Sequence, residues 1–131
     1  MKRKCKKIIS TKDGSRAIYI DDENSAEILE YINRDERHKK KFKFITDLIL
    51  GKFKNTDLYD KEDIDDSCKD VTAMKFFKGQ ENDRIYCKEV KSDKGVFVVV
   101  AGILHTKKKS QKNSNKEKVL IKKLGKYDYE V

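Results

Sequence analysis

An unbroken apolar run at 96–104 constrains the fold of this chain more than any other feature. The run is rich in valine and bounded by turn residues, which is typical of a strand buried in a sheet. A basic strand at 84–87 precedes it across a turn at 92–95, so the two strands predict a hairpin. His105 follows the apolar run, and a lysine-rich segment, 107–112, comes next. We therefore expect a rigid hairpin that brings a histidine and several cations to one edge of a sheet, which suits a phosphate-rich ligand.

The remaining pattern predicts an α+β domain. In chain order the predicted elements are a short strand at 16–20, helices at 26–32 and about 35–50, a strand at 71–77, the two hairpin strands, and a helix from about 115 to 124. Because the last three strands are joined by short turns, we expect an antiparallel twisted sheet, a meander, packed by one face against the N-terminal helical pair. The other face would be left for a ligand.

At 131 residues the chain is expected to form one domain, 1–131. Its basic start, 1–15, is expected to be a flexible or additional N-terminal segment, although Ile8 and Ile9 are candidates for a hairpin partner of the first strand. The acidic stretch 54–70 is expected to be a solvated loop with one helical turn. A cation site is less favoured there, because the stretch lacks the glycine and the terminal glutamate of an EF-hand loop.

The net charge of +9 favours polyanionic partners such as nucleic acid, an acidic protein or an anionic membrane surface. The three cysteines are widely spaced and form no CxxC pair, so neither a zinc site nor a disulfide framework is indicated. The sequence shows no apolar run long enough to cross a bilayer, and the basic start lacks the other features of a signal peptide. These observations predict a cytoplasmic protein without a metal or another cofactor, in which Cys87 packs as a small apolar side chain.

Charge chemistry is the reaction type that these residues suit best. RNA cleavage through its own 2′-hydroxyl needs a base, cationic donors for the developing phosphorane charge, and an acid for the leaving 5′-oxygen. Arg84 suits the phosphate, with Lys75 and Lys78 as support, provided that the strand register brings these side chains to one face. His105 is the side chain suited to proton transfer near neutral pH.

Two of these assignments have a structural alternative. Arg84 would then be a surface strand residue paired with an acid such as Glu89, and His105 would cap or pack the end of its strand. The other histidine, His38, stands beside three consecutive lysines in the second predicted helix. It is expected to lie on a solvated helix face.

The segment 72–88 resembles the central hairpin of RelE/HigB-like toxins of bacterial toxin–antitoxin systems. That hairpin has a basic residue in its first strand and an arginine at the start of its second, and Lys75 and Arg84 fall at those two positions. The segment 96–112 is similar to the apolar strand of the family and to the lysine-rich run that follows it. The order of a strand, two helices, three strands and a closing helix also agrees with the family.

The resemblance implies a compact ribonuclease of RelE-like α+β fold that cuts mRNA, often on the ribosome, without a metal. The implied partners are a cognate antitoxin protein, mRNA and the ribosome, with no membrane and no small-molecule cofactor. A near-terminal tyrosine takes part in some members, which makes Tyr127 and Tyr129 catalytic candidates beside Arg84, Lys75 and His105. The lysines expected to hold the RNA backbone are Lys78, Lys107, Lys108, Lys109 and Lys112.

A second interpretation is a non-catalytic binding module of the same fold. Such a module would act on a protein target, as ParE-like relatives do, or would bind RNA or DNA through phosphates alone. Cleavage of mRNA by the purified protein in the presence of ribosomes would separate the two interpretations.

Overall fold

The computed structural model describes residues 2–62, 64–77, 82–106 and 113–131, and within them the chain forms six strands and three helices. The strands are β1 (Cys5–Ser10), β2 (Arg16–Asp21), β3 (Tyr59–Lys61), β4 (Val71–Phe76), β5 (Asp83–Lys91) and β6 (Phe97–His105). The helices are α1 (Ser25–Ile32), α2 (Glu36–Leu50) and α3 (Asn115–Gly125), and a 3-10 turn covers Asp66–Cys68. This arrangement confirms the predicted α+β class.

The six strands form one mixed sheet in the order β1-β2-β6-β5-β4-β3. The strands β3 to β6 are antiparallel neighbours, as the meander predicts. The prediction of a wholly antiparallel sheet is wrong, because β2 and β6 pair in parallel. Short turns fix the direction of each meander strand against its neighbour. These turns do not determine the direction of the meander relative to β2, because two helices and a long connection separate β2 from the meander.

Two edge strands occupy segments in which the sequence pattern is weak. β1 pairs with β2 in a hairpin that places Ile9 opposite Ile18, so part of the basic start 1–15 belongs to the sheet. β3 lies inside the acidic stretch 54–70 and pairs with β4, which follows that stretch. The helical turn expected in the stretch is observed as the 3-10 turn. A strand of three residues, such as β3, carries too little alternation to be recognised by pattern.

Helices cover both faces of the sheet. α1 and α2 pack on one face, where Tyr31 and Ile45 are buried in the same apolar cluster as Met74 of β4. α3 packs on the other face, where Ile121 and Leu124 are buried in a second cluster. The expectation that this second face is left for a ligand is therefore wrong over the area that α3 covers. An amphipathic helix buries its apolar stripe on an available apolar surface, and the open sheet face provides one.

α3 approaches the sheet closely at Gly102. The β5–β6 register shifts between Tyr86 and Cys87, where Gly102 is the extra residue of a β-bulge on β6. A Cβ atom at Gly102 would lie 2.6 Å from a terminal methyl of Leu124, so a larger residue there would force the Leu124 side chain to move. The bulge also resets the alternation of side chains along β6. As a result, His105 lies on the face that α3 covers.

Candidate active site

Three of the predicted catalytic residues form a row across one end of the meander, where β4 and β6 finish and β5 begins. Lys75 of β4 lies directly opposite Arg84 of β5, and Arg84 lies directly opposite His105 of β6. Residues directly opposite each other in a sheet project from the same face, so the three side chains are neighbours on the α3 side. The register that the sequence left open therefore brings Lys75, Arg84 and His105 together. We call these three residues the charged row.

Arg84 lies beneath the surface and is paired with a carboxylate. Its side chain is 3 % exposed, and Nη1 lies 3.6 Å from Oε1 of Glu62, which follows β3. The amide of Asn113 donates a hydrogen bond to the other oxygen of Glu62 at 2.9 Å. The alternative partner considered from the sequence, Glu89, instead accepts a hydrogen bond from the Tyr59 hydroxyl at 2.7 Å. A buried guanidinium needs such a counter-charge, because desolvation of an unpaired cation is costly.

His105 is held by the first turn of α3. Its Nε2 lies 2.8 Å from Oε2 of Glu117. The other oxygen of Glu117 accepts hydrogen bonds from the backbone N–H and the hydroxyl of Ser114, at 2.9 and 2.6 Å, in a capping box. Burial opposes ionisation of Glu117, but the hydrogen bonds from Ser114 and His105 outweigh it and hold the pKa of Glu117 below its ordinary value.

This arrangement decides which nitrogen of His105 is available for proton transfer. The Glu117 carboxylate is ionised at neutral pH, so it can only accept a hydrogen bond from His105. Nε2 of His105 therefore carries the proton and acts as the donor. The neutral ring then carries its lone pair on Nδ1, which can accept a proton. Glu117 thus fixes both the orientation and the tautomer of His105.

Tyr86 lies between the Arg84–Glu62 ion pair and the His105–Glu117 hydrogen bond. Its ring stacks on that of His105, with centroids 6.2 Å apart and planes at 16°. The Tyr86 hydroxyl is buried and has no hydrogen-bond partner among the described residues. Burial, the Glu62 carboxylate and, more weakly, the Glu117 carboxylate raise the pKa of Tyr86, so the phenol stays protonated at neutral pH.

Glu62, Tyr86 and Glu117 were not identified as site residues from the sequence. The capping box was readable as a serine followed three residues later by a glutamate at a helix start. Tyr86 follows Arg84 by two positions in a strand, which places both on one face. Glu62 carries no local signal, because its approach to Arg84 depends on how the edge strand β3 joins the sheet.

The two C-terminal tyrosines belong to a different network. The Tyr129 hydroxyl donates to Oδ2 of the fully buried Asp21 at 2.6 Å, and Nε of Arg3 lies 2.5 Å from the same oxygen. The Arg3 guanidinium covers the ring of Tyr127, 4.0 Å from its centroid. Burial and Asp21 raise the pKa of Tyr129. The described contacts of Tyr127 and Tyr129 therefore join the chain ends and do not include the charged row.

The accessible end of the row is Lys75, whose Nζ donates to the carbonyl oxygen of Thr56 at 3.1 Å. The lysines predicted to hold RNA lie outside the described residues: Lys78, Lys107, Lys108, Lys109 and Lys112. The residues on either side of the segment 107–112 lie next to the charged row. Thr106 follows His105 directly, and Asn113 contacts Glu62.

His38 is not on a solvated helix face, and that expectation is wrong. The side chain is buried, and its ring makes edge contacts with Tyr31 and Phe77 at centroid distances of 4.8 and 5.0 Å. Its Nδ1 lies 2.7 Å from Oδ1 of Asp35, the N-cap of α2. The prediction for Cys87 is confirmed, because this thiol is fully buried in the apolar cluster beneath α1 and α2.

Within the described ranges, no group of three or more histidine, cysteine or acidic residues is arranged to hold a metal ion. In that same part of the chain, no helix has both the length and the apolar character needed to span a membrane. No family model, curated protein or solved structure matches this chain. The function proposed below therefore depends on the geometry of the site and on the sequence resemblance.

Proposed function

We propose that this protein is a RelE/HigB-like toxin with a RelE-like fold, a metal-independent endoribonuclease that cuts mRNA in the cytoplasm. The observation that carries the proposal is the charged row, because it combines a histidine held in one tautomer with two cations on neighbouring strands. These are the groups that cleavage through the 2′-hydroxyl requires. The proposed partners are mRNA on the ribosome and a cognate antitoxin protein.

In the proposed reaction, Nδ1 of His105 accepts the proton of the 2′-hydroxyl while the 2′-oxygen attacks the adjacent phosphorus. The bond from phosphorus to the 5′-oxygen breaks, and the leaving oxygen takes up a proton from the solvent or from a protonated side chain. Lys75 and Arg84 stabilise the negative charge that develops on the phosphate. The products are a 2′,3′-cyclic phosphate and a 5′-hydroxyl.

The two cations contribute differently in this proposal. Arg84 is buried and paired with Glu62, so it supports the phosphate from below through its charge and its position. Lys75 is only partly buried and provides the direct contact. The lysines at 107–112 are proposed to hold the RNA backbone at the same edge.

The test uses His105→Gln and Lys75→Ala, with Lys91→Ala as the matched control. Lys91 is an exposed lysine of β5 at the end of the strand far from the row. Cleavage of ribosome-bound mRNA is measured with purified protein, and growth is measured after induced expression. We expect each row variant to lose about a hundred-fold or more in cleavage rate and the control to match the wild type. Unchanged cleavage by folded His105→Gln would refute the assigned base.

The alternative is a non-catalytic binding module, and one observation favours it. Arg84 and His105 are both buried in pairs with carboxylates, as residues of a structural network would be. Such a module would act on a protein target in the manner of ParE-like toxins, or would bind RNA or DNA through phosphates. Binding that weakens steeply with salt, in the absence of any RNA cleavage, would support the module over the enzyme.

A further inference from the structure

A pocket of about 240 Å³ opens on the sheet face that carries α1 and α2, beyond the C-terminal end of α2. Its walls come from the end of α2, the loop at 52–56 that follows, and β3. Side chains of the central strands, including Thr72, Glu89 and Phe97, close the inner side. The pocket is thus separate from the charged row, which lies on the opposite face of the sheet.

Phe53 is the most exposed large apolar side chain among the described residues and lines this pocket. Its side chain and backbone together are 70 % exposed, yet the backbone is fixed by a 2.9 Å hydrogen bond from its N–H to the Leu48 carbonyl oxygen. The ring lies over Gly51, where an added Cβ atom would come within 2.7 Å of it. An aromatic ring is therefore held at the pocket mouth with much of its surface open to solvent.

The surroundings of Phe53 combine cations with hydrogen-bonding groups. Its sequence neighbours Lys52 and Lys54 are exposed and also line the pocket. At the inner side, the Tyr59 hydroxyl donates to Glu89 and accepts a hydrogen bond from Thr72 at 2.9 Å. An exposed aromatic ring between two lysines is the combination by which proteins bind single-stranded nucleic acid, with a base on the ring and phosphates on the cations.

We propose that this pocket binds one base of a single-stranded RNA, stacked on Phe53, with the adjoining phosphates on Lys52 and Lys54. The pocket volume accommodates a single heterocyclic base. The loop that carries Phe53 also contacts the charged row, because Lys75 donates to the Thr56 carbonyl oxygen at 3.1 Å. A single-stranded RNA that crosses the edge of the sheet at β3 can therefore reach both the pocket and the charged row. The proposal requires binding alone and does not rest on the cleavage proposed above.

The experiment compares Phe53→Ala with Phe44→Ala. Phe44 is a second exposed phenylalanine, 52 % accessible on α2, that does not line the pocket. Binding of a fluorescently labelled short oligoadenylate is measured by anisotropy at fixed salt concentration. Because one stacked base contributes a large share of affinity, we expect Phe53→Ala to weaken binding about five-fold or more and Phe44→Ala to leave it within about two-fold.

Two further variants separate stacking from charge. Gly51→Ala would displace the Phe53 ring without removing it, and is expected to weaken binding in the same direction. Changing Lys52 and Lys54 together to Gln should reduce the dependence of affinity on salt. Equal effects of the two phenylalanine variants, or no effect of either, would overturn the proposal. The proposal would also be overturned if Phe53→Ala weakened the binding of polyglutamate, an acidic peptide, but left the binding of oligoadenylate unchanged.

Cleavage by the wild type and binding at the pocket are read out separately. Loss of oligoadenylate binding in Phe53→Ala supports the pocket whether or not the protein cuts RNA. Cleavage that proceeds normally while Phe53→Ala binds oligoadenylate as the wild type does would overturn the pocket and leave the charged row unaffected.

Discussion

At the scale of single residues, two members of the charged row, Arg84 and His105, contact carboxylates from distant parts of the chain. Glu62 approaches Arg84 from the edge of the sheet, and Glu117 approaches His105 from α3. Each carboxylate is itself fixed by a hydrogen bond from the short segment Asn113 to Ser114. A single substitution in this set leaves a buried partner without its counter-charge, which costs more than the pair contributes.

Replacing Glu117 with Gln is predicted to reduce stability in a pH-dependent way. The pKa of Glu117 is lowered in the folded state, so its contribution is complete above the unfolded pKa of about 4.3 and is lost as pH falls through the folded value. We expect Glu117→Gln to lower the free energy of unfolding by about 1–3 kcal/mol at pH 7. The difference from the wild type should shrink below about pH 4. Urea unfolding of the wild type and of Glu117→Gln, at pH 7 and below about pH 4, measures this difference.

Glu36→Gln is the control for this titration. Glu36 also stands in the first turn of a helix, but its side chain is highly exposed and its ion pair with Lys39 is long, at 3.5 Å. We expect its effect on the free energy of unfolding to stay within about 0.5 kcal/mol. A Glu117→Gln penalty that is constant from pH 7 to acid would contradict the assigned ionisation of Glu117.

At the scale of elements, α3 is the part that joins the site to the second apolar cluster. Its first turn holds His105 through Glu117, and its buried side chains Ile121 and Leu124 pack on the sheet. The close approach at Gly102 sets how deeply the helix sits. Docking of α3 and the geometry of the charged row are therefore coupled.

Truncation of the buried side of α3 is predicted to destabilise the protein much more than truncation of its exposed side. Ile121 is fully buried, whereas the neighbouring Val119 is 64 % exposed. We expect Ile121→Ala to cost about 2–5 kcal/mol and Val119→Ala to change the free energy of unfolding by less than about 0.5 kcal/mol. Chemical denaturation of both variants tests the difference. Similar losses for the two would show that α3 does not dock by this face.

The helices were predictable because each carries a periodic apolar stripe and recognisable caps. α2 was expected over about 35–50 and is observed over Glu36–Leu50, and the helix expected over about 115–124 is observed as Asn115–Gly125. The error at His38 has a clear cause. His38 stands four positions before the buried Phe42, on the apolar stripe, but the adjacent lysines suggested a solvated face.

The charged row was predictable only as a possibility, because its formation depends on long-range register. Lys75 and Arg84 flank one turn, and their pairing followed from a short hairpin. The position of His105 depends on the bulge at Gly102; a lone glycine in a strand indicates that a bulge can form, but it does not determine the register that follows. The counter-charge of Glu62 depends on the pairing of a three-residue strand, and contacts of that kind cannot be derived from spacing.

At the scale of the whole molecule, the two ends of the described chain are fastened to each other. Arg3 and Tyr129 form a parallel bridge, and both contact the buried carboxylate of Asp21 at the end of β2. Arg3 also pairs with Glu23 at 2.7 Å. The basic start of the chain therefore contributes to stability as well as to net charge.

Removal of Arg3 is predicted to leave Asp21 without its main counter-charge. We expect Arg3→Ala to lower the free energy of unfolding by about 2–4 kcal/mol, toward the lower part of the range for buried pairs because Arg3 is partly exposed. Lys4→Ala is the control, since its ion pair with Glu130 is exposed and should contribute about 1 kcal/mol or less. Thermal and urea unfolding compare the two variants. Equal effects would show that Asp21 is satisfied without Arg3.

The bridge between the chain ends also decides how the molecule responds to mechanical tension. The Arg3 N–H donates to the Asp128 carbonyl oxygen at 2.6 Å, and the Glu130 N–H donates to the Arg3 carbonyl oxygen at 3.0 Å. Because the two segments run parallel, a pull on the two termini shears these bonds together along the strand direction. An antiparallel closure would instead peel them apart one at a time. A force applied through fusions at both ends must therefore break the bridge between Arg3 and Tyr129 before it acts on the sheet.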